Sequence, residues 1–230
     1  KQRDGTYYFL HKIDFGLYIS KNLPIDKSSK NQGLSTFLAV EIGDCFTQIK
    51  VMRDNFYIIT GGPGAGKTTL LEELSRYEVL CVPEVARQII REQMDQGGRA
   101  VPWDDAVQYK ELMLQRSIED YLQTDTEMPV FFDRGIPDAL AYARLIGDIS
   151  PAALADEYRY NRLVFILPPW EEIYATDNER KQTFEEAIDV FRRLEEEYMS
   201  CGYEVVEVPC ISVEERALFV LDRIGMHRKQ

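Results

Sequence analysis

Eight consecutive residues carry the densest chemistry in the chain: Gly61-Gly62-Pro63-Gly64-Ala65-Gly66-Lys67-Thr68. The pattern is a glycine, four free positions, a second glycine, a lysine and a hydroxyl residue. Glycines admit backbone conformations closed to bulkier residues, so the N–H groups of such a loop can turn inward around phosphate oxygens. Lys67 can reach the β- and γ-phosphates of a triphosphate, and the Thr68 hydroxyl is placed to ligate Mg²⁺. The loop follows an apolar, strand-like run, Phe56–Thr60, and opens a helical pattern near Lys67. That helix would point its positive end at the same anion. A glycine-rich turn before an ordinary helix is the plain alternative. Every fixed position is present and both flanks are right. The spacing therefore assigns a nucleotide-binding loop over Gly62, Pro63, Gly64, Ala65, Gly66, Lys67, Thr68 and Thr69.

Three further stretches bring charge to strand ends. Val130-Phe131-Phe132-Asp133-Arg134 is an apolar run ending in a carboxylate. Beside the loop, Asp133 could hold Mg²⁺ directly or through water; alone, such an Asp is more often a helix cap. Arg134 could contact phosphate or acceptor, or form an (i, i+4) ion pair with Asp138. In Val82-Pro83-Glu84-Val85-Ala86-Arg87, Glu84 falls at the end of a predicted strand. Ligands collect at the carboxyl ends of parallel strands, and a carboxylate there can accept a proton from an attacking hydroxyl or hold a metal-bound water. Its bland role is a first-turn partner of the helix dipole. Arg87 and Arg91 share a helix face, turned toward a phosphate-bearing acceptor or toward solvent. The third stretch, Pro168-Pro169-Trp170 through Gln182, is a polar connection containing Arg180 and Lys181. It reads as a lid whose cations close over the transferring phosphoryl group, or as a solvated loop. Trp103, Tyr109 and Trp170 could stack on a base or sugar, or serve as core and rim.

These side chains need a scaffold that gathers strand ends. Short, near-continuous apolar runs, Phe56–Thr60, Val79–Val82, Val130–Phe132, Leu163–Leu167 and Val205–Val208, read as parallel strands buried on both faces. Helical patterns alternate with them: Lys67–Arg76, Val85–Gln96, Trp103–Gln123, Pro137–Ile146, Phe184–Cys201 and Val213–Ile224. Thr183 with Glu186 and Ser212 with Glu215 fit capping boxes. Ser150–Pro151 fits an N-cap followed by proline. The alternation predicts an α/β protein with a parallel sheet between helical layers.

Residues 1–51 stand apart. They carry seven Lys/Arg and five Asp/Glu, a net of +2, whereas the remainder carries −14. Strand-like stretches flank a polar, turn-rich run, which reads as an appendage, a hairpin or a loose extension. The chain begins with Lys1, and Met52 just before the loop is compatible with a start there. The reading is thus an N-terminal extension over 1–51 and a phosphate-binding domain over 52–230. A net charge of −12 over 230 residues disfavours nucleic-acid coating and docking to anionic lipid. The four cysteines, Cys45, Cys81, Cys201 and Cys210, form no C-x-x-C pair, so zinc is not expected. His11 and His227 lie near the ends, which excludes a histidine relay in the middle of the chain. No run approaches the roughly 18 apolar residues of a membrane span. No secretion signal opens the sequence, and the expected compartment is the reducing cytoplasm.

With these residues in view, 54 to about 225 resembles the P-loop NTPases grouped as AAA-type predicted ATPases. That family is similar in turn to nicotinamide riboside kinases and to the deoxynucleoside and thymidylate kinases. The segments that carry the resemblance are Ile58 to Thr69, Val82 to Arg87, Phe131 to Gly135 and Pro168 to Gln182. The resemblance implies a five-stranded core of order 2-3-1-4-5, Glu84 as the base, and Asp133-Arg134 as the kinases' acidic-arginine pair. It does not name an acceptor. These residues show no sign of the lid domain of hexameric AAA+ motors, so a hexameric motor is not expected, and they lack the guanine-reading N-K-x-D motif, which disfavours a Ras-like GTPase. The expected activity is Mg²⁺-dependent binding of ATP, with GTP possible, and transfer of the γ-phosphoryl to an unidentified small-molecule acceptor or to water. A nucleotide-dependent switch with little turnover is the alternative, with 1–51 as a docking arm. A scaffold with a relic loop fits poorly with intact loop residues. The kinase reading requires Glu84 and Arg87 to line the same cleft as Lys67.

Overall fold

Alternation of apolar residues along the central strand explains the layering of the molecule. In a computed structural model that describes residues 51–148, 153–174 and 183–226, strand β1 spans Phe56–Gly61. Phe56 and Ile58 face one helical layer and Ile59 faces the other, and all three are fully buried. Helix α1 (Lys67–Leu74) follows, then β2 (Leu80–Val82), α2 (Val85–Gln96) and α3 (Ala106–Gln123). Next come β3 (Val130–Asp133), α4 (Ile136–Leu145) and the four-residue α5 (Leu154–Glu157). The chain continues with β4 (Leu163–Leu167), a 3₁₀ turn (Glu171–Ile173), α6 (Phe184–Ser200), β5 (Glu204–Glu207) and α7 (Val213–Arg223).

The five strands form one parallel sheet in the order β2-β3-β1-β4-β5, which is 2-3-1-4-5 counted within the sheet. A separate two-residue parallel pairing, Val51–Met52 with Tyr158–Arg159, adds to what the sequence led us to expect. Helices α2, α3, α4 and α6 pack on one face around Phe132, Tyr121 and Tyr160. Helices α1 and α7 lie side by side on the other, around Phe131, Phe165 and Val206. Each such fully buried apolar side chain contributes about 1.5–3 kcal/mol. Because the sheet is parallel, the ends of β1, β2, β3 and β4 open on the same edge. The loop at Gly61, Glu84, Arg134 and Trp170 are therefore neighbours.

Both capping boxes form. Glu186 N–H donates to Thr183 Oγ1 at 3.2 Å and Thr183 N–H to Glu186 Oε2 at 2.6 Å. Ser212 and Glu215 exchange the same pair at 3.2 and 3.3 Å. Helix α3 starts at Ala106, not Trp103, because Asp105 caps it by accepting from Gln108 N–H at 2.9 Å. The expectations for residues 1–50, for Ser150–Pro151 and for Arg180 and Lys181 lie outside the described residues.

Where β1 hands over to the loop, Gly61 adopts φ +140°, and a Cβ there would lie 2.6 Å from the carbonyl oxygen of Leu167 on β4. Neither backbone can yield, since Gly61 and Leu167 are register partners in the sheet. Gly61→Ala is therefore expected to destabilise by about 2–4 kcal/mol, combining backbone strain with overpacking. Gly97→Ala has positive φ but open space around it, so it should cost less. Urea midpoints of the two variants test this, and equal midpoints would show that the close approach is not felt.

Candidate functional site

Gly66 is the N-cap of α1 and takes a left-handed conformation, φ 87° and ψ 22°, with no side chain to cap the helix. The first-turn N–H groups of α1 have no intrahelical partners and are left for an anion. Lys67 is buried, and its Nζ donates to the carbonyls of Gly61 at 2.9 Å and Gly62 at 3.0 Å. Burial and the nearby Arg134 guanidinium push its pKa down from 10.5 to about 8, against the opposing pull of Asp133, Glu84 and Asp138. Thr68 and Thr69 are exposed at the mouth of the loop.

A second polar cluster adjoins the loop. Arg134 is held at φ 71°, a left-handed conformation that is uncommon for a non-glycine residue. Its Nε donates to Glu84 Oε1 at 2.7 Å and its Nη1 to Asp138 Oδ1 at 3.0 Å. Asp138 also accepts from the Thr60 hydroxyl at 2.7 Å, from Gly135 N–H at 2.9 Å and from the Tyr198 hydroxyl. One carboxylate thereby ties the tip of β1, the start of α4 and α6 to the arginine that grips Glu84. The Arg134–Asp138 ion pair and the Arg134–Glu84 contact coexist. Glu84 Oε2 faces Arg87 Nε at 3.3 Å. Burial alone would raise the Glu84 carboxyl, but Arg134, Lys67 and Arg87 together hold it below the usual range. Asp133 behaves oppositely: burial, reinforced by Glu84, pushes its carboxyl up, with Lys67 pulling it back. Its Oδ1 is buried with no hydrogen-bond partner.

Two spaces meet at Glu84. One is a cleft of about 260 Å³ lined by Gly64, Gly66, Lys67, Thr68, Thr69, Glu84, Arg87, Ile173 and Arg216. Three cations face a single carboxylate there, a local excess of positive charge in a chain of net −12. The other is a smaller recess of about 30 Å³ beside Glu84, Asp120, Asp133, Arg134 and Asp138, roomy enough to admit water. Glu84 and Arg87 thus line the same cleft as Lys67. Gly62 and Ala65 are buried parts of the loop's frame, and Pro63 is half-buried. Arg91 is exposed and not among the cleft-lining residues. Trp103 is 67% exposed, and Tyr109 is buried edge-to-face against Tyr142, so neither lines the cleft. Trp170 stands nearby, with the Arg216 guanidinium 5.4 Å from its ring centre.

Sequence reading missed Arg216, Ile173, Asp138's role as a hub, and Tyr198. A signal for Arg216 was present: it is the fourth residue of α7, and a cation in a first helical turn opposes the macrodipole. Among the described residues, no group of three or more His, Cys, Asp or Glu could hold a metal ion. Magnesium on a triphosphate needs less, because it retains waters and takes one or two carboxylates plus phosphate oxygens. The unpartnered Asp133 Oδ1 and the exposed Thr68 hydroxyl fit that requirement.

The chain matches the family described as AAA domain over residues 56–216. It is 30% identical over 145 residues to the tRNA modification GTPase MnmE of Jannaschia sp. (strain CCS1), an alignment covering 56% of this chain and 33% of that protein. The chain thus spans about a third of the length of this curated relative. Among solved structures, it is similar to the NadR protein in complex with NR, with a TM-score of 0.58 and 18% identity over 76% of this chain and 53% of that one. Thymidylate kinase from Ehrlichia chaffeensis is also similar, with a TM-score of 0.49 and 18% identity over 74% of this chain and 98% of that one.

Proposed function

Starting from a chain that belongs to the AAA domain family of P-loop NTPases, we propose that it binds a Mg-nucleoside triphosphate, ATP with GTP possible, and transfers the γ-phosphoryl to a small hydroxyl-bearing acceptor or to water. One observation carries this reading: Lys67 and Glu84, from two different strand ends, face one cleft. Lys67 and the loop amides would take the charge of the phosphates, and Glu84 would orient the attacking hydroxyl and take its proton. Thr68 and Asp133 are the groups to hold magnesium, which when bound spreads the charge that develops on the phosphoryl oxygens. Arg87 is placed to meet phosphate at the cleft. Arg180 keeps its sequence-based role as a lid cation.

The acceptor side also has a chemical preference. Glu84, Asp120, Asp133 and Asp138 surround the recess against one cation, Arg134, whose charge is already shared by Glu84 and Asp138. Neutral or cationic alcohols are therefore favoured over acceptors that carry phosphate. The smallness of the recess also favours a second reading, a nucleotide-dependent switch with little turnover and a partner that binds only the loaded form.

A screen of diphosphate release, with ATP and GTP in parallel, tests both readings. Nucleosides, nucleoside monophosphates and vitamin-like alcohols serve as acceptors. We expect at least one uncharged or cationic alcohol to raise ADP formation well above the rate with water. Stimulation by monophosphates alone would contradict the acceptor preference. Tight triphosphate binding with no stimulated turnover would favour the switch.

A further inference from the structure

Among the described residues, Arg216 is a buried charge with no evident partner. Its residue is only 6% exposed, and it makes no ion pair among the described residues. Its Nε is buried without a hydrogen-bond partner. It lies in the first turn of α7, where the helix dipole opposes a cation. Three unfavourable terms therefore fall on one side chain: lost hydration, an unused donor and a repulsive dipole. The fold nevertheless holds it at the edge of the phosphate cleft. Its Nη1 lies 2.9 Å from where a Cβ on Gly66 would stand, and Ile173 Cδ1 lies 3.3 Å from the same point. The Trp170 ring backs the guanidinium on another side.

Resting on the nucleotide reading above, we propose that Arg216 is a phosphate-binding residue that donates to nucleotide phosphate oxygens from α7, at the Gly66 side of the cleft. An anion at that position would satisfy the orphan N–H and neutralise the buried charge. Gly66 leaves room for the guanidinium because it has no side chain, a second use of that glycine besides its left-handed turn. Stacking of a nucleobase on the guanidinium is the competing use, but a neutral ring would leave the charge uncompensated. Helix α7 packs beside α1, so both helices meet the same ligand.

The test uses the full chain, Arg216→Met and Arg216→Lys, with Mg-ATP and inorganic tripolyphosphate as calorimetric ligands. Arg216→Met should weaken both ligands by a similar factor, about 10- to 150-fold, the range for a lost hydrogen bond to a charged group. Arg216→Lys should recover part of the loss, keeping the charge but not the fork. The ligand-free thermal midpoint of Arg216→Met should be unchanged or higher, while its ligand-induced shift shrinks. A loss confined to Mg-ATP would assign base stacking and overturn the proposal. So would wild-type affinity for both ligands, or a lower ligand-free midpoint with the ligand shift intact. If the wild-type chain binds neither ligand, the nucleotide reading itself fails and the proposal falls with it.

Discussion

Lys67→Ala is expected to lower kcat/KM for triphosphate turnover by about 10²–10³-fold, the cost of removing one preorganised charge-stabilising donor. The effect should not come through the fold. The Lys67 ammonium is buried with its hydrogen bonds going to carbonyls, and burial and Arg134 push its pKa down from 10.5 to about 8, so the folded state disfavours the charged form. For a base with a lowered folded pKa, the penalty is fully present below about pH 8 and is relieved as pH rises toward the unfolded value of 10.5. The ligand-free alanine variant should thus be at least as stable as wild type at neutral pH, apart from the small cavity it leaves. The same shift gives triphosphate binding a pH signature. Phosphates favour the charged ammonium, so binding above about pH 8 must draw in a proton, and affinity should fall as pH rises past that point. Calorimetry in two buffers of different ionisation enthalpy measures the uptake. Lys67→Arg, which stays charged, should show none. Equal turnover by wild type and Lys67→Ala would remove the loop from the mechanism.

What could be read in advance was whatever is local in the chain. The loop at Gly61–Thr68, the capping boxes at Thr183 and Ser212, and the apolar runs of the five strands are each set by residues within a few positions of one another. The sheet order came from resemblance, because strand order is a property of crossovers and not of any one segment. Arg134 shows where local reading stops. Its spacing to Asp138 suggested an ion pair, which forms, but the grip on Glu84 spans fifty positions and depends on a left-handed backbone at a non-glycine residue. Tyr198 and Thr60 reach Asp138 from 60 and 78 positions away. Arg216 belongs beside Gly66 only because α7 and α1 lie together on one face of the sheet.

Glu84→Gln is expected to separate catalysis from binding. The carboxylate is the sole acid among the cleft-lining residues, and it faces Arg134 and Arg87 from its two oxygens. Replacing it by an amide removes negative charge from a cleft that must accept a polyanion, so triphosphate affinity should hold or tighten. The variant also loses the acceptor for the attacking hydroxyl's proton, and kcat should fall by about 10²–10⁴-fold, the range for a positioned general base. Opposite movements of affinity and kcat distinguish this from misfolding, which would lower both. The electrostatics sharpen the comparison with Asp133. Arg134, Lys67 and Arg87 hold Glu84 below its usual range against the effect of burial, whereas burial pushes Asp133 up from its own. The upward shift alone would suit Asp133 to accept a proton. Its burial and its position with Thr68 suit it instead to magnesium, and Asp133→Asn should raise the magnesium concentration needed for half-maximal turnover. If Asp133→Asn instead lowers kcat at saturating magnesium while Glu84→Gln leaves kcat unchanged, the two roles are exchanged. Glu84 would then serve as the counter-ion that parks Arg134.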